Sequence, residues 1–307
     1  MTRVRTLNSL LTMPGRPLPV LLALLVSLCI WLPPALAYDE ADLDRLKDQR
    51  SCPGCDLRDA GLWWMTLRET DLSDAALDGA SIWWSDLFAA RLDRATLHRT
   101  NLWWTNLRAA SMREADFSFA ALDFALVMGA DLTDANFSNA ELSGTNLTQA
   151  NMAGVDLTRA NLMRAIMARS GLRNANLTEA NLYQAQLTDS DLTGAVFARA
   201  ALTQTLLRDA VLQNADFRKA NMSEADMSGA DLTGADLSSA QIPNGKFRKA
   251  RLHGAKFVGA SLWRADFSGA DLTDADFTDA SLPDAVFDGA RFCRTKLPDR
   301  VDDSGCP

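Results

Sequence analysis

The sequence is poor in the residues on which most catalytic and metal centres depend. It has 307 residues but only two His and two Tyr. His98 and His253 are far apart in the chain, and neither has a matched Ser or Cys and Asp for nucleophilic catalysis. Glycine-rich phosphate loops and zinc-ligand spacings are missing as well. These absences predict a protein that is not an enzyme and that holds no metal ion or cofactor.

Positive charge is also in deficit. The chain has 31 Lys and Arg against 39 Asp and Glu, a net charge of −8. Residues 1–37 contain three Arg and no acid, so the remainder carries −8 − 3 = −11. Because an acidic surface repels the phosphate backbone, this balance argues against nucleic acid as a partner. The hydrophobic fraction of 48% is normal for a folded protein.

Residues 1–37 have the pattern of a secretory signal peptide. Three arginines precede an apolar stretch, 20–32, and Ala35 and Ala37 then supply small residues two apart. We therefore predict cleavage after Ala37 and export to a periplasm, a lumen or the extracellular space. The alternative is an uncleaved membrane anchor, since residues 17–38 are uncharged and long enough to span a bilayer.

Every fifth residue from Leu57 to Leu297 is apolar. The series has (297 − 57)/5 + 1 = 49 positions, and all 49 hold Leu, Phe, Met, Ile or Val. We call this residue i. Position i−2 is Ala in 36 repeats and mostly Thr or Ser in the others, as at Thr70, Ser85 and Thr205. Position i−1 is Asp or Asn in 23 repeats.

A period of five suits neither a helix nor a long flat strand. In a helix, successive i residues would scatter around the axis, because five residues turn about 140° beyond a full turn. In a flat strand they would alternate between the two faces. A short strand followed by a corner fits: i−2 and i point inward, i−1 points outward, and i+1 and i+2 form the bend. Gly at i+2 in 11 repeats suits such a bend.

The phenylalanines at position i indicate four such faces per turn. With a coil of four repeats, nine of the ten fall on two opposite faces, whereas three faces per turn would not separate them in this way. Three Trp pairs recur at the same interval of four repeats. The ten phenylalanines are Phe117, Phe137, Phe197, Phe217, Phe247, Phe257, Phe267, Phe277, Phe287 and Phe292.

These features resemble the pentapeptide-repeat family over residues 52–297. The consensus Ala-(Asp/Asn)-Leu-x-x is clearest at residues 230–239. The resemblance implies an all-β fold, a right-handed quadrilateral parallel β-helix. Forty-nine repeats at four per coil give about 12 coils, and a strand spacing of ~4.8 Å gives a rod ~60 Å long.

Both ends of such a solenoid expose strand edges that need covering. Residues 38–51 are predicted to form a short helical cap, with Leu43 and Leu46 facing the first coil. Residues 298–307 are a polar C-terminal tail or cap.

Four cysteines remain after residue 37, two at each end of the predicted rod. A disulfide needs Cα atoms within about 7 Å, so pairing between the ends is excluded. The sequence leaves Cys52–Cys55 and Cys293–Cys306 as candidate disulfides, or four free thiols. A redox motif at Cys52-Pro-Gly-Cys55 is the alternative to a structural cap, although the surrounding pattern is not a thioredoxin-like βαβ unit.

The Trp pairs occupy corner positions that are predicted to point outward and to stack on one edge of successive coils. Such a ladder exceeds the apolar area that monomers usually expose, so we predict a partner-binding surface. The alternative is a ladder that packs on itself or beneath residues 38–51. The candidate residues are Trp63, Trp64, Trp83, Trp84, Trp103, Trp104 and Phe124, with Trp263 on the same column farther along.

Together these patterns predict an exported, non-catalytic scaffold that binds a protein partner or a second copy of itself. A membrane surface or a glycan remains an alternative ligand for the Trp ladder. The family resemblance implies a second function, since some pentapeptide-repeat proteins mimic duplex DNA and bind DNA gyrase or another topoisomerase. The acidic charge agrees with that function, but a signal peptide does not. A CxxC-based redox factor is the third hypothesis.

Overall fold

A computed structural model describes residues 38–306 of the chain. Over most of this range each face of the backbone pairs with the face four repeats farther along the chain. The first parallel bridge joins Ser51 to Asp71, and the series continues at every fifth residue to the bridge between Asp276 and Lys296. An interval of four repeats confirms the prediction of four faces per turn.

Each face is held by a pair of backbone hydrogen bonds to the neighbouring coils. On one face, the amide of Leu57 donates to the carbonyl oxygen of Ala76 at 2.7 Å, and the amide of Ala76 donates to Cys55 at 2.8 Å. The same two bonds recur along the rod, so nearly every face is hydrogen-bonded to the coil above and the coil below. As in other solenoids, each coil then depends only on its neighbours.

At the corners the amide of residue i+2 also donates to the next coil, as Asp59 does to Asp78 at 2.8 Å, and a hydrogen bond within the repeat closes the turn. The amide of Ala60, for example, donates to the carbonyl oxygen of Leu57 at 3.1 Å. Residue i+2 adopts positive φ at almost every corner, with 69° at Gly79 and 60° at Trp64. Glycine reaches this left-handed region without strain, whereas other residues reach it at a cost of about 1 kcal/mol or more.

The interior is filled by the large residue i and the small residue i−2. Both positions are almost completely buried along the array. Phenylalanines stack directly between coils, with ring centroids 4.6 Å apart for Phe117 and Phe137. Phe257 and Phe267 meet edge to face across the interior at 5.7 Å. The two Phe-rich faces therefore lie opposite each other, as predicted.

Threonine and serine replace Ala at i−2 because their hydroxyl groups have a partner there. Thr105 Oγ1 donates to the carbonyl oxygen of Ile82 at 3.1 Å, and Ser85 Oγ donates to Leu62 at 2.7 Å. In both cases the acceptor belongs to the preceding coil. For Thr70 the equivalent position is Lys47, which belongs to the N-terminal helix, and the buried Thr70 hydroxyl has no partner among the described residues.

The N-terminal end of the solenoid is covered by a single helix, α1, Glu40–Gln49. Asp39 caps it by accepting the amide of Ala41 at 2.9 Å, and Arg50 ends it in the left-handed conformation. Leu46 is completely buried against the first coil, while Leu43 is partly buried.

The C-terminal end is closed differently from the sequence-based expectation of a polar tail. A short antiparallel pair forms between β1, Thr295–Lys296, and β2, Val301–Asp302. The repeat pattern could not predict this hairpin, because it lies where the period of five ends. It covers only part of the last coil, and Phe287 and Phe292 remain partly exposed.

The four cysteines of the described range form two short-range pairs in the structure, Cys52–Cys55 and Cys293–Cys306. The Cα atoms are 5.4 Å and 4.7 Å apart, respectively. Cys52 and Cys55 are completely buried beneath α1, and the Arg45 guanidinium contacts the Cys55 sulfur. Both pairs join chain segments at the ends of the solenoid.

The predicted signal peptide, 1–37, lies outside the described residues. Within residues 38–306, no helix has the length and apolar content needed to cross a bilayer.

A buried charge tests the inward assignment of position i. We expect Phe137→Asp to remove most of the β signal in circular dichroism, because Phe137 is 2% exposed and an unpaired buried charge costs several kcal/mol. Asn139→Asp is the matched control, since Asn139 is a corner residue at i+2, where Asp occurs in several repeats, and its column neighbours are Phe119 and Arg159. Equal melting temperatures for the two variants would contradict the assignment.

Candidate functional site

The structure places the three Trp pairs on one corner of successive coils. Exposure is 64% for Trp64 and about half for Trp63, Trp84, Trp103 and Trp104, while Trp83 is half-buried. Phe124 continues the column one coil farther and is 48% exposed. The ladder is not covered by α1, so the alternative of packing beneath residues 38–51 is wrong.

The rings at i+2 form one continuous stack along the rod. Trp64 and Trp84 have centroids 5.3 Å apart, Trp84 and Trp104 are 5.5 Å apart, and Trp104 and Phe124 are 4.9 Å apart. The planes of neighbouring rings differ by only 10° to 17°. Because the faces of the inner rings cover one another, these rings present mainly their edges to solvent.

Glycines make room for the two ends of the ladder. A Cβ atom on Gly61 would lie 2.1 Å from the Trp63 ring, so that indole rests directly on the glycine backbone. A Cβ atom on Gly144 would lie 2.7 Å from the Phe124 ring. Gly144 follows Phe124 by one coil, and the absence of a side chain there lets the last ring of the stack lie flat.

The backbone does not favour tryptophan at these corners. Trp64, Trp84 and Trp104 have φ values of 60°, 58° and 57°, in the left-handed region that suits glycine. Each bulky residue there costs about 1 kcal/mol or more, and ring stacking returns a similar amount, about 0.5–1.5 kcal/mol per pair. Folding alone therefore gives little reason for an aromatic residue at this position.

The flat side and the corner that carry the ladder have almost no charged residues. We define the aromatic face as residues 61–64, 81–84, 101–104 and 121–124, which share one flat side and its corner. Among these sixteen residues only Asp123 is ionisable. From the exposed fractions, the tryptophans and Phe124 expose about 750 Å². Typical monomers have a largest apolar patch of about 300–600 Å².

The apolar surface extends beyond the residues that the sequence singled out. Leu126 and Met128 follow Phe124 on the adjoining side and are 38% and 37% exposed. On that side's far corner the Phe88 ring lies between Arg68 and Arg108, whose guanidinium carbons are 4.6 Å and 5.9 Å from its centroid. The sequence did contain a signal for this extension of the apolar surface, because Leu126 is an apolar residue at position i−1, which is predicted to point outward.

Trp263 lies on the same corner but stands alone. It is 40% exposed, and the Arg264 guanidinium carbon lies 4.6 Å from its ring centroid. It provides an internal comparison for the Trp pairs.

The two histidines lie on the surface of the rod. His98 Nδ1 is 2.9 Å from Ser118 Oγ, a contact that the sequence analysis missed although the two residues are one coil apart. The His98 ring also packs edge-on against Phe119. His253 Nδ1 is 3.7 Å from an oxygen of Asp274. In neither arrangement do a Ser, a His and a carboxylate form a chain of hydrogen bonds among the described residues.

The outward aspartates are engaged in local hydrogen bonds. Burial by itself would raise the pKa of Asp231, but hydrogen bonds from Thr233 and Gln213 outweigh it and hold that pKa below its usual value. A hydrogen bond from Ser73 likewise lowers the pKa of Asp71. Asp42 lies beside the Cys52–Cys55 pair, and both cysteines are completely buried beneath α1.

The described chain is thus a parallel β-solenoid with an exposed aromatic face on its first coils. The sequence matches the family of pentapeptide repeats in eight copies. These copies cover most of residues 55–297, so the chain belongs to the pentapeptide-repeat family and the resemblance is confirmed. The matched segments are 55–92, 90–123, 129–168, 172–209, 202–238, 210–248, 246–282 and 260–297.

Three solved structures are similar to this chain, and two of them, HetL and Rfr23, are pentapeptide-repeat proteins. HetL, involved in heterocyst differentiation regulation in the cyanobacterium Nostoc sp. strain PCC 7120, is 31% identical, with a TM-score of 0.56 over 64% of this chain and 91% of that chain. QnrB1, a plasmid-mediated fluoroquinolone resistance protein, is 22% identical over 64% and 90%, with a TM-score of 0.29. Rfr23 from the cyanobacterium Cyanothece 51142 is 26% identical over 39% and 89%, with a TM-score of 0.16. No curated protein matches the sequence.

Proposed function

We propose that this chain is an exported, non-catalytic scaffold that binds a protein partner through the aromatic face. In this proposal residues 52–297 form a right-handed rod of about 12 coils that holds the face rigid, and the cysteine pairs fasten both ends. The observation that carries the proposal is the stack of half-exposed indoles at corners whose backbone favours glycine.

The physical character of the face suits protein recognition. Tryptophan is enriched among the residues that contribute most to protein interfaces, and such residues lie in apolar, desolvated centres with polar rims. Here arginines at the two neighbouring corners, such as Arg68 and Arg99, would supply the rim. A rigid backbone also lowers the entropic cost of binding, because few groups must be ordered on contact.

The two alternative functions, a DNA mimic and a redox factor, receive less support from the ion pairs and from the burial of the cysteines. A DNA mimic needs a surface of unneutralised acids, but many aspartates are paired with arginines, for example Asp74 with Arg94 at 2.7 Å and Asp226 with Arg208 at 2.6 Å. A redox factor needs an accessible sulfur, but Cys52 and Cys55 are completely buried.

Export can be tested independently of binding. We expect full-length protein produced in a Gram-negative host to appear in the periplasm with Tyr38 as its first residue, as read by N-terminal sequencing. An intact N-terminus in the membrane fraction would support the anchor instead. Uncleaved protein in the cytosol would contradict export.

Binding through the aromatic face is tested by paired variants in the exporting host. We expect chemical crosslinking to give a specific adduct of the wild-type protein that disappears in the double variant Trp83→Ser, Trp84→Gly. Gly suits the φ of 58° at position 84, so this variant should keep its melting temperature.

Trp263→Ser is the matched control, because it removes a solitary indole from the same corner. It should leave the adduct unchanged. If all three proteins give the same adducts, the aromatic face is not the docking site. If the double variant unfolds, the ladder serves stability rather than recognition.

A further inference from the structure

The aromatic face is nearly uncharged over four successive coils. The same four positions in later coils include Glu141, Arg164, Glu224, Arg264 and Asp284. The other corners and sides of the first coils carry both signs of charge. The chain as a whole is acidic, with a net charge of −8.

This distribution bears directly on contact between two copies of the chain. A symmetric dimer places the same patch of both molecules in contact, so the patch must be compatible with itself. Two acidic rods that met through an aspartate-rich side would set like charges against one another. The aromatic face avoids this repulsion, since its only ionisable residue is Asp123 at one end.

The area of the face also matches a dimer contact. Standard interfaces bury about 800 Å² on each partner. The tryptophans and Phe124 of the face offer about 750 Å² by their exposed fractions, and Leu126 and Met128 on the adjoining side add about 150 Å². Homodimer interfaces are more apolar than other protein contacts, and this surface is almost entirely aromatic and aliphatic.

The ring geometry favours a protein surface over a sugar. The inner rings of Trp84 and Trp104 are covered on their faces by their stacked neighbours. Within the i+2 stack, a sugar that stacks on a ring face would find only the outer face of Trp64 open, and Trp103 at i+1 is the one further tryptophan of the face with no aromatic stacking partner among the described residues. The exposed ring edges instead form a continuous apolar surface that follows the coil spacing of about 5 Å, and the apolar surface of a protein can cover it.

From these observations we infer that the aromatic face binds a second copy of this chain. This inference rests on the proposed function and names its partner. The two rods lie antiparallel about a two-fold axis that lies in the plane of the contact, perpendicular to the rods, because that arrangement places the two Asp123 side chains at opposite ends. A parallel arrangement would set them against each other.

The test is the solution mass of the exported, processed protein by size exclusion with light scattering. We expect the protein to be a dimer at ~100 μM, since contacts of this size have a Kd of about 1 μM or below. Ser81→Asp should weaken the dimer by about 100-fold or more, because it adds like charges at the centre of the contact. The substitution suits the fold, since Asp is common at position i−1.

Charge complementation then distinguishes the loss of a specific dimer contact from a loss of folding. Ser81→Lys alone should also be monomeric, whereas an equimolar mixture of Ser81→Asp and Ser81→Lys chains should regain the dimer. Ser261→Asp is the matched control, because Ser261 occupies the same column beside Trp263. It should remain dimeric.

A wild-type monomer at ~100 μM overturns the inference, as does a dimer that Ser81→Asp leaves intact. A monomer that binds phosphatidylcholine vesicles, with a blue shift in Trp emission, would assign the face to a bilayer instead. A monomer whose Trp-dependent crosslink contains a different protein would retain the proposed function and exclude only the second copy.

Discussion

The structure depends on one constraint, the hydrogen bonding of each coil to the next at an interval of four repeats. A single repeat contributes only three such bonds, as at Leu57, Asp59 and Ala76, and an isolated coil would leave all of them open. Stacking closes them and, in the same step, buries both inward side chains of every repeat. Hydrogen bonding and apolar burial are therefore satisfied together or not at all.

The same register converts sequence columns into surfaces. Side chains at equivalent positions of successive coils lie directly above one another, so side chains of the same kind contact each other along a column. One corner carries the aromatic stack at its start, then a break at Gly144, and then a polar ladder. In that ladder Arg164 donates to Gln184 at 3.0 Å, and Gln184 donates to Gln204 at 2.8 Å. A rigid frame thus lets each stretch of a corner carry a different chemistry.

Most of the fold could be predicted because one period governs every repeat. The inward positions, the four faces and the Trp column follow from spacing alone, as Phe117 and Phe137 illustrate. The C-terminal hairpin could not be predicted, since β1 belongs to the last repeat but its partner β2 lies beyond the repeats. The partners of single side chains were harder to predict: the His98–Ser118 contact depends on rotamers, although its spacing of one coil was visible in the sequence. The stacking of indole faces, which decides what the surface can bind, also required the coordinates.

The central claim is that the pairing of coils at an interval of four repeats aligns the side chains that form the functional surface. It is tested most directly by inserting one repeat, Ala-Asp-Leu-Thr-Gly, between Ala89 and Ala90 and measuring the solution mass. The insertion adds one face, so the chain still folds but Trp103 and Trp104 move to the next corner. The account predicts a folded monomer, while a four-repeat insertion that duplicates 90–109 extends the ladder and keeps the dimer. A dimer that survives the one-repeat insertion would contradict the account.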